Sequence, residues 1–329
     1  MIRIYNYASG LASQIQSFID EKRALGCKYE KEAKTFYEFD RFLIEQGITE
    51  PHLPQDVVEK WVGKRQNEKR KNQRWRLNFT KRFVIYLRLH QYDAYYPDFK
   101  ISSRDDQSFV PYIFTNNEIA ALMNYFDNMK PSRQYPNGHV VIPMLFLTLI
   151  CCGLRAGEAA SLKVKDVDIE QGILTIRNAK HGKSRSIPVS EGMRIKYVQY
   201  YEKLHTDSDA EDYFFPNARG NCHHTNVLEV RFREALWECG IPYMGRGYGP
   251  RVHDLRHTFA VRSMQKIKKD KGSNLLALPY LSVYLGHYNM DKTQQYLHLV
   301  PEAFPEMLEK QHEYLGDIIP TWEEQNENN

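Results

Sequence analysis

The sequence has no long apolar run. The longest, Val140 to Cys152, has 13 residues and includes Pro143 and Thr148, whereas a helix that crosses a bilayer needs about 20. The opening residues, MIRIYNYASG, also lack the charged leader and apolar core of a secretory signal. These absences predict a protein without membrane spans that stays in the cytoplasm.

Cysteine is scarce and irregularly spaced. The chain has 5 cysteines, none in a CxxC pair, and Cys151 and Cys152 lie inside the apolar run. An odd number of scattered cysteines predicts free thiols in a reducing compartment. The neighbours Cys222, His223 and His224 are potential metal ligands, but no second ligand pair stands at zinc spacing. The sequence therefore predicts neither a metal site nor a cofactor.

Acidic residues are almost absent from one stretch and concentrated in another. Between Lys64 and Arg88 there are ten basic residues and one acid, a net charge of +9, with Trp75 and Phe79 interleaved. From Glu302 to Asn329, eight acids and one lysine give −7. A basic block with aromatic residues suits a nucleic-acid phosphate backbone, although a solvated helix face has the same composition. The candidate contacts are Lys64, Arg65, Lys69, Arg70, Lys71, Arg74, Arg76, Lys81 and Arg82.

The 329 residues are enough for two domains. Apolar residues at helical spacing over 9–25 and 29–43, a further helix after Pro54, and the basic segment predict four helices. We therefore expect an all-helical N-terminal DNA-binding domain over residues 1–103. A polar, proline-bracketed stretch without periodicity predicts a linker at 104–111.

The second domain, residues 112–329, combines helices with a small sheet. In TNNE, Thr115 and Glu118 stand at capping-box spacing before an apolar helix. The segment GILTIRNAKHGKSRSIPV alternates polar and apolar residues on both sides of KHGK, which predicts a hairpin with Lys180 and Lys183 at its tip. Most other segments are helical in pattern. The predicted fold class is mostly α with a small antiparallel β-sheet (α+β) in this domain.

Two short stretches carry residues suited to phosphate chemistry. In GLRAGE, Arg155 follows a helix stop at Gly153, so it is held stiffly and can present a planar fork to a phosphate. A structural pair with Glu158, three residues on, explains the same spacing. In HDLRHTFA, His253 and Arg256 are three residues apart at the start of a helix and face the same way.

One tyrosine stands out by its position. Tyr296 follows the polar segment DKTQQ, where a mobile segment could deliver it, whereas Tyr284 and Tyr288 belong to an apolar helical pattern. A phenol with a pKa of about 10 needs nearby cations and a proton acceptor before it can attack.

Together these stretches resemble the active site of the tyrosine recombinases, the phage integrase family that includes the Xer and Cre recombinases. The matching stretches are GLRAGE, NAKHGKSRSIPV, HDLRHTFA and LGHYNMDKTQQYLH, in that order within residues 112–300. The six catalytic positions of the family hold the expected residue types: Arg155, Lys180, His253, Arg256, His287 and Tyr296.

The resemblance implies a role for each of these residues. Tyr296 would attack a DNA phosphodiester and form a 3′-phosphotyrosyl ester, while the two arginines and His253 clamp the phosphate. Lys180, favoured over Lys183 by its distance from the following strand, would protonate the leaving 5′-oxygen. His287 would orient the phosphate, and His253 is also a candidate acceptor for the tyrosine proton.

Other residues receive supporting roles. Glu158 is assigned to a second layer that holds Arg155 or His253, and His257 to helix packing. Lys183 and Arg185 join the expected DNA contacts. Residues 265–274, QKIKKDKGSN, are interpreted as a basic insertion in a loop.

The family resemblance also implies partners. They are double-stranded DNA recombination sites, which the two domains would hold as a clamp, three further copies in a homo-tetramer built as a pair of dimers, and accessory or sister recombinases. The acidic tail, residues 302–329, is expected to form a helix that docks on its own domain or on a neighbouring subunit. We expect a bacterial, cytoplasmic, nucleoid-associated recombinase of a mobile element. The alternatives are a type IB topoisomerase-like enzyme and a DNA-binding regulator without catalysis.

Overall fold

A computed structural model describes residues 5–102, 110–177, 184–243, 245, 249–271, 277–286 and 293. The chain divides into two compact units, Met1–Phe109 and Val110–Asn329. The division falls within the polar, proline-bracketed stretch of the sequence. Most of the expected linker, residues 104–111, lies outside the described residues.

The described part of the first unit is helical, as its apolar spacing predicts. Its helices are α1 (Ala12–Ala24), α2 (Glu30–Glu45), α3 (Gln55–Val62) and α4 (Arg70–Leu89). Their apolar stripes meet in one core that is rich in aromatic rings, with Phe36 4.4 Å from Phe79 and 4.9 Å from Phe83 between ring centroids. Burial of each such ring stabilises the fold by roughly 1.5–3 kcal/mol.

The second unit contains seven α-helices and one short 3-10 helix, Val164–Asp166, among the residues that the structure describes. The α-helices are α5 (Asn116–Asp127), α6 (Gly138–Cys152), α7 (Ala156–Ala160), α8 (Glu191–Leu204), α9 (Thr225–Glu238), α10 (Val252–Lys271) and α11 (Ala277–Leu285). The predicted capping box is present: the Thr115 hydroxyl accepts from the Glu118 amide, and the Glu118 carboxylate accepts from the Thr115 amide. Because α6 is apolar all round, it is buried at the centre of this unit.

A three-stranded antiparallel sheet completes the second unit. Its strands are β1 (Val167–Asp168), β2 (Ile173–Ile176) and β3 (Arg185–Pro188), in the order β1-β2-β3. The predicted hairpin is formed by β2 and β3, with Ile176 opposite Arg185 at its described end. The tip, with Lys180 and Lys183, lies outside the described residues. The predicted fold class is confirmed.

One expectation about α10 is wrong. Residues 265–271 were expected to belong to a loop insertion, but α10 continues through them to Lys271. No glycine or proline interrupts this segment before Gly272, and Ile267 packs against a small core that α10 shares with α11. In the described part of the chain, every helix is too short or too polar to cross a membrane.

Candidate active site

The site begins where α6 stops. Gly153 adopts a left-handed φ of +58° and ends the helix, and the chain then turns so that Arg155 stands immediately before α7. A Cβ at position 153 would lie 2.3 Å from a ring carbon of Phe259 on α10. Glycine is therefore required both by the backbone conformation and by the close approach of α10.

Glu158 on α7 is the centre of an ionic network. Its carboxylate accepts from the Arg155 amide at 3.0 Å and from Arg155 Nη1 at 2.6 Å. Arg185 donates to both oxygens, Nη1 at 3.2 Å and Nη2 at 2.9 Å. Burial by itself raises the pKa of Glu158, but Arg185 and Arg155 outweigh burial and lower the pKa to about 2. The carboxylate is therefore ionised and holds the two arginines in place.

Arg256 on α10 reaches the same carboxylate. Its Nη1 lies 3.8 Å from Glu158 Oε2 and donates to the Gly153 carbonyl at 2.9 Å. Its Nη2 donates to the Leu285 carbonyl at 2.6 Å, at the end of α11. The side chain is only 1% exposed. The predicted pair Arg155 and Arg256 thus meets at one carboxylate, although the two residues are about a hundred positions apart in the chain.

His253 lies one turn before Arg256 on α10 and is open to solvent on one side. The protein packed around the rest of the ring, together with Arg256, Arg251 and Arg155, lowers its pKa to about 4. The imidazole is therefore neutral near pH 7. His257 is buried with its ring 4.8 Å from that of His253, so it packs in the helix as expected.

Arg185, which the sequence predicts to contact DNA, belongs to the same network. Its side chain is 11% exposed, and its guanidinium is bonded within the protein. Besides the two bonds to Glu158, its Nε donates to the Tyr284 carbonyl at 2.8 Å. The sequence contained a signal for this placement, because alternate residues of a strand share a face and Arg185 is two positions from the buried Ile187.

Three of the six expected catalytic residues, Lys180, His287 and Tyr296, lie outside the described residues, as does the alternative nucleophile Tyr288. Tyr284 is described: its ring stacks on Phe259 at 5.5 Å between centroids, and burial raises its pKa above the usual range. Tyr284, predicted to be a core or phosphate-facing residue, is thus packed against α10.

The basic face of the first unit is mostly accessible, with one correction. Arg76 was expected to contact DNA, but it is 4% exposed. Its Nη1 and Nη2 donate to the Glu68 carboxylate at 2.7 and 2.8 Å. Trp75 and Phe79 stack on each other at 5.5 Å in the same core. The exposed members of the set are Lys64, Arg65, Lys69, Arg70, Lys71 and Arg82, and Arg74 and Lys81 are half-buried.

The candidate metal ligands have separate roles. Cys222 Sγ donates to the Ala160 carbonyl, His223 Nε2 lies 3.2 Å from the Tyr135 hydroxyl, and His224 accepts from the Asn226 amide at the start of α9. In the described residues, no group of three or more His, Cys, Asp or Glu side chains is placed to hold a metal ion.

Comparison with known proteins identifies the family. Residues 113–302 match the Phage integrase family. A Sinorhizobium fredii protein named "Putative integrase/recombinase y4rB" is 26% identical over 308 residues, which cover 90% of this chain and 95% of that protein. A "Tyrosine recombinase" of Pseudothermotoga lettingae is 27% identical over 265 residues, covering 79% and 83%.

A solved structure has a similar fold. It is that of the Tn1549 transposon integrase in complex with transposon right end DNA, with a TM-score of 0.62 and 17% identity, covering 90% of this chain and 98% of the other. The family match spans more than half of the chain and includes Arg155, Glu158, His253 and Arg256. The chain therefore belongs to the phage integrase family of tyrosine recombinases, which are DNA strand-exchange enzymes.

Proposed function

We propose that the protein cleaves and rejoins DNA at specific recombination sites through these residues. The observation that carries the proposal is the meeting of Arg155 and Arg256 at Glu158, beside a neutral His253. In-line attack on a phosphodiester increases negative charge on the nonbridging oxygens, and two preorganised guanidinium groups stabilise that charge. The buried carboxylate keeps both groups oriented before DNA arrives.

The nucleophile is assigned from the sequence. Tyr296 attacks the phosphorus and forms a 3′-phosphotyrosyl ester, while Lys180 gives its proton to the departing 5′-oxygen. A 5′-hydroxyl of another strand then attacks the ester and releases Tyr296, so no external energy source is needed. His287 orients the scissile phosphate.

His253 acts as a proton acceptor in this scheme. A histidine that is already protonated cannot accept the phenolic proton. Burial of the ring and the neighbouring arginines lower the pKa of His253 and keep it neutral at physiological pH. Its neutral ring accepts the proton of Tyr296 on one nitrogen and donates to the phosphate from the other.

Assembly of a homo-tetramer on two DNA sites is part of the proposal. A groove of about 520 Å³ between α5, α6 and α8 has an apolar floor that includes Val140, Met144 and Leu147. The exposed Lys196 and Lys203 also line it, together with a single carboxylate, Asp127. The segment 302–315 has the complementary composition, with apolar residues at helical spacing and an acidic opposite face. We assign the groove to this segment of a second copy.

The biological role is integration, excision or transposition of a mobile element in a bacterial cytoplasm. The support is the naming of relatives as integrases or recombinases, and the fold similarity to a transposon integrase. Accessory or sister recombinases complete the set of proposed partners.

The decisive experiment is covalent trapping. The full chain is incubated with a pool of randomised duplexes, each nicked so that the short strand 3′ of a cleavage point diffuses away and prevents religation. Protein-linked DNA is isolated under denaturing conditions and sequenced. We expect attachment to one sequence class, mapped by peptide analysis to Tyr296, and none with Tyr296→Phe. If the wild-type chain attaches to no duplex, the proposal is wrong.

A plasmid that carries two copies of the recovered site separates recombination from relaxation. Deletion or inversion between the sites supports site-specific recombination. Relaxation of supercoils without exchange would contradict it and favour a topoisomerase-like activity.

A further inference from the structure

Three consecutive carbonyl groups at the end of α11 each accept a hydrogen bond from a different arginine. Arg185 Nε donates to the Tyr284 carbonyl at 2.8 Å, Arg256 Nη2 to that of Leu285 at 2.6 Å, and Arg155 Nη2 to that of Gly286 at 3.4 Å. The last carbonyls of a helix have no partners within the helix and form its negative end. The three cations therefore hold the end of α11 by its backbone.

Two of these arginines, Arg155 and Arg256, already belong to the proposed phosphate clamp, whereas Arg185 lies outside the six family positions. Its Nη1 and Nη2 are engaged by Glu158 while its Nε is bonded to α11. A guanidinium is a rigid planar fork, so one side chain can satisfy a carboxylate on one edge and a carbonyl on the other.

Gly286 fits against this side chain. Its φ is +65°, and a Cβ at this position would lie 2.9 Å from Arg185 Nη1 and 3.1 Å from Cζ. Because Glu158 pins the guanidinium, the side chain is not free to move away. The backbone turn after α11 is thus shaped to the position of Arg185.

Arg185 lies next to chain segments that carry proposed catalytic residues. It is the first residue of β3, directly after the segment that carries Lys180, and the end of α11 directly precedes His287. Glu158, on α7, joins it to the arginine clamp. One side chain therefore links β3, α7 and the end of α11. In the sequence, these elements adjoin the proposed general acid Lys180, the arginine clamp and the segment that carries Tyr296.

We propose that Arg185 is a positioning residue for DNA cleavage, which fixes the end of α11, the helix that precedes His287 and Tyr296 in the sequence, against the Glu158-centred clamp. This inference rests on the proposed function. It predicts that loss of the Arg185 bridge slows the chemical step, while the affinity for DNA is unchanged.

Substitution by lysine tests the bridge rather than the charge. In Arg185→Lys a single ammonium group keeps the positive charge beside Glu158 but cannot reach the carboxylate and the Tyr284 carbonyl in the same fork geometry. Arg185→Gln removes the charge as well. The matched control is Arg177→Gln, which follows the other strand of the hairpin at the same end, because Arg177 is exposed and pairs with Asp166 rather than with Glu158 or α11.

The first measurement is the single-turnover rate of covalent attachment at saturating concentrations of the nicked duplex recovered by trapping. We expect Arg185→Lys to lower this rate on the order of tenfold, with Arg185→Gln lower still. The duplex concentration for half-maximal rate should stay within about twofold. Arg177→Gln should keep the wild-type saturating rate. If wild type attaches and Arg185→Lys attaches equally fast, the inference is wrong.

A direct contact between Arg185 and DNA predicts a different pattern. In that case Arg185→Lys or Arg185→Gln raises the duplex concentration for half-maximal rate and leaves the saturating rate unchanged. The slope of log affinity against log salt concentration falls by about one in Arg185→Gln. That pattern would overturn the inference. A purely structural role would lower the melting temperature without changing the saturating rate of the folded protein, which also counts against it.

A second measurement does not need activity. Hydrogen exchange of peptides spanning residues 281–290 should be faster in Arg185→Lys than in wild type or Arg177→Gln, because the carbonyl tether is lost. Equal exchange in all three proteins would contradict the tether. If wild-type protein attaches to no duplex, the proposed function fails, and the exchange comparison still decides whether Arg185 fixes the end of α11.

Discussion

Arg185 and Glu158 form a two-point ion pair, with Nη2 to Oε2 at 2.9 Å and Nη1 to Oε1 at 3.2 Å. The pair joins β3 to α7 across 27 residues of sequence. Their side chains are 11% and 7% exposed, so water screens the interaction little. The carboxylate that holds the arginine clamp is thus itself held from the β-sheet.

Loss of the Glu158 charge should destabilise the second unit. In Glu158→Gln, buried Arg185 and Arg256 lose their shared anion, and we expect a fall of about 3 kcal/mol in the free energy of unfolding at pH 7. Denaturant unfolding measures it, with exposed Glu170→Gln as the control. The folded-state pKa of Glu158 is lowered to about 2, so its contribution is complete above pH 4.5 and is lost as the pH falls toward 2. The difference in the free energy of unfolding between wild type and Glu158→Gln should therefore become smaller below pH 4.5. A difference that is independent of pH would contradict the ionised, ion-paired state of Glu158.

His253 should remain neutral well below its ordinary range. Its imidazole resonances, assigned by their absence in His253→Gln, should titrate with a midpoint near the pKa of about 4. In the unfolded chain the same ring binds a proton near pH 6.5. Since the unfolded state then binds more protons, stability should fall as the pH drops from 6.5 to 4, and less so in the variant. A midpoint at 6.5 would refute the electrostatic picture.

Gly153 should tolerate no side chain. Gly153→Ala requires a left-handed alanine and a Cβ 2.3 Å from the Phe259 ring, so we expect a loss of at least roughly 1–3 kcal/mol in unfolding free energy. The change would also shift the carbonyl that Arg256 binds, which should slow covalent attachment. Gly192→Ala in α8 is the matched control, since its Cβ meets open space; it should be stabilising by roughly 0.5 kcal/mol.

Exposed and buried cations of α4 should respond differently to substitution. Lys71→Gln removes an exposed cation, so it should weaken binding to random duplex DNA. The slope of log affinity against log salt concentration should fall in magnitude by about one. Arg76→Gln removes a buried partner of Glu68 and should instead lower the free energy of unfolding by about 3 kcal/mol. A normal stability for Arg76→Gln together with a reduced salt slope would show that its placement is wrong.

The acidic tail should be needed for assembly and not for the fold of the second unit. Light scattering on a duplex carrying two sites should give a tetramer with the full chain and smaller species after deletion of residues 302–329. Lys196→Glu with Lys203→Glu should have the same effect, because the groove would then repel the acidic segment. Unchanged assembly in the double variant would exclude this groove as the docking surface.

The sequence predicts most of the fold because its signals are local. A capping box at Thr115 and a helix stop at Gly153 each involve neighbours within a few residues, and the structure contains both. The strand β1 was not predicted, because its two residues are too few to show the alternation of polar and apolar residues that indicates a strand. The extension of α10 was missed because charge suggested a loop, whereas no residue there breaks a helix.

The site was predictable where a residue's partner is close in sequence. Arg155 and Glu158 are three residues apart, and their pairing follows from that spacing. The partners of Arg185 are 27 and 99 residues away, so its bonds within the protein were not predicted and its positive charge was interpreted only as a DNA contact. Its position two residues from Ile187 in the same strand was a signal that both side chains share a face. Arg76 was misassigned for the same reason, since composition does not reveal which cation turns inward toward Glu68.

The 1% exposure of Arg256 has a thermodynamic consequence for catalysis. Its guanidinium sheds its hydration shell when the polypeptide folds, at a cost that native packing offsets. In the proposed reaction, the phosphodiester would therefore meet a guanidinium that is already removed from bulk water, and less solvent reorganisation would accompany bond cleavage. Folding would thus supply, before DNA binds, part of the desolvation that the proposed reaction requires.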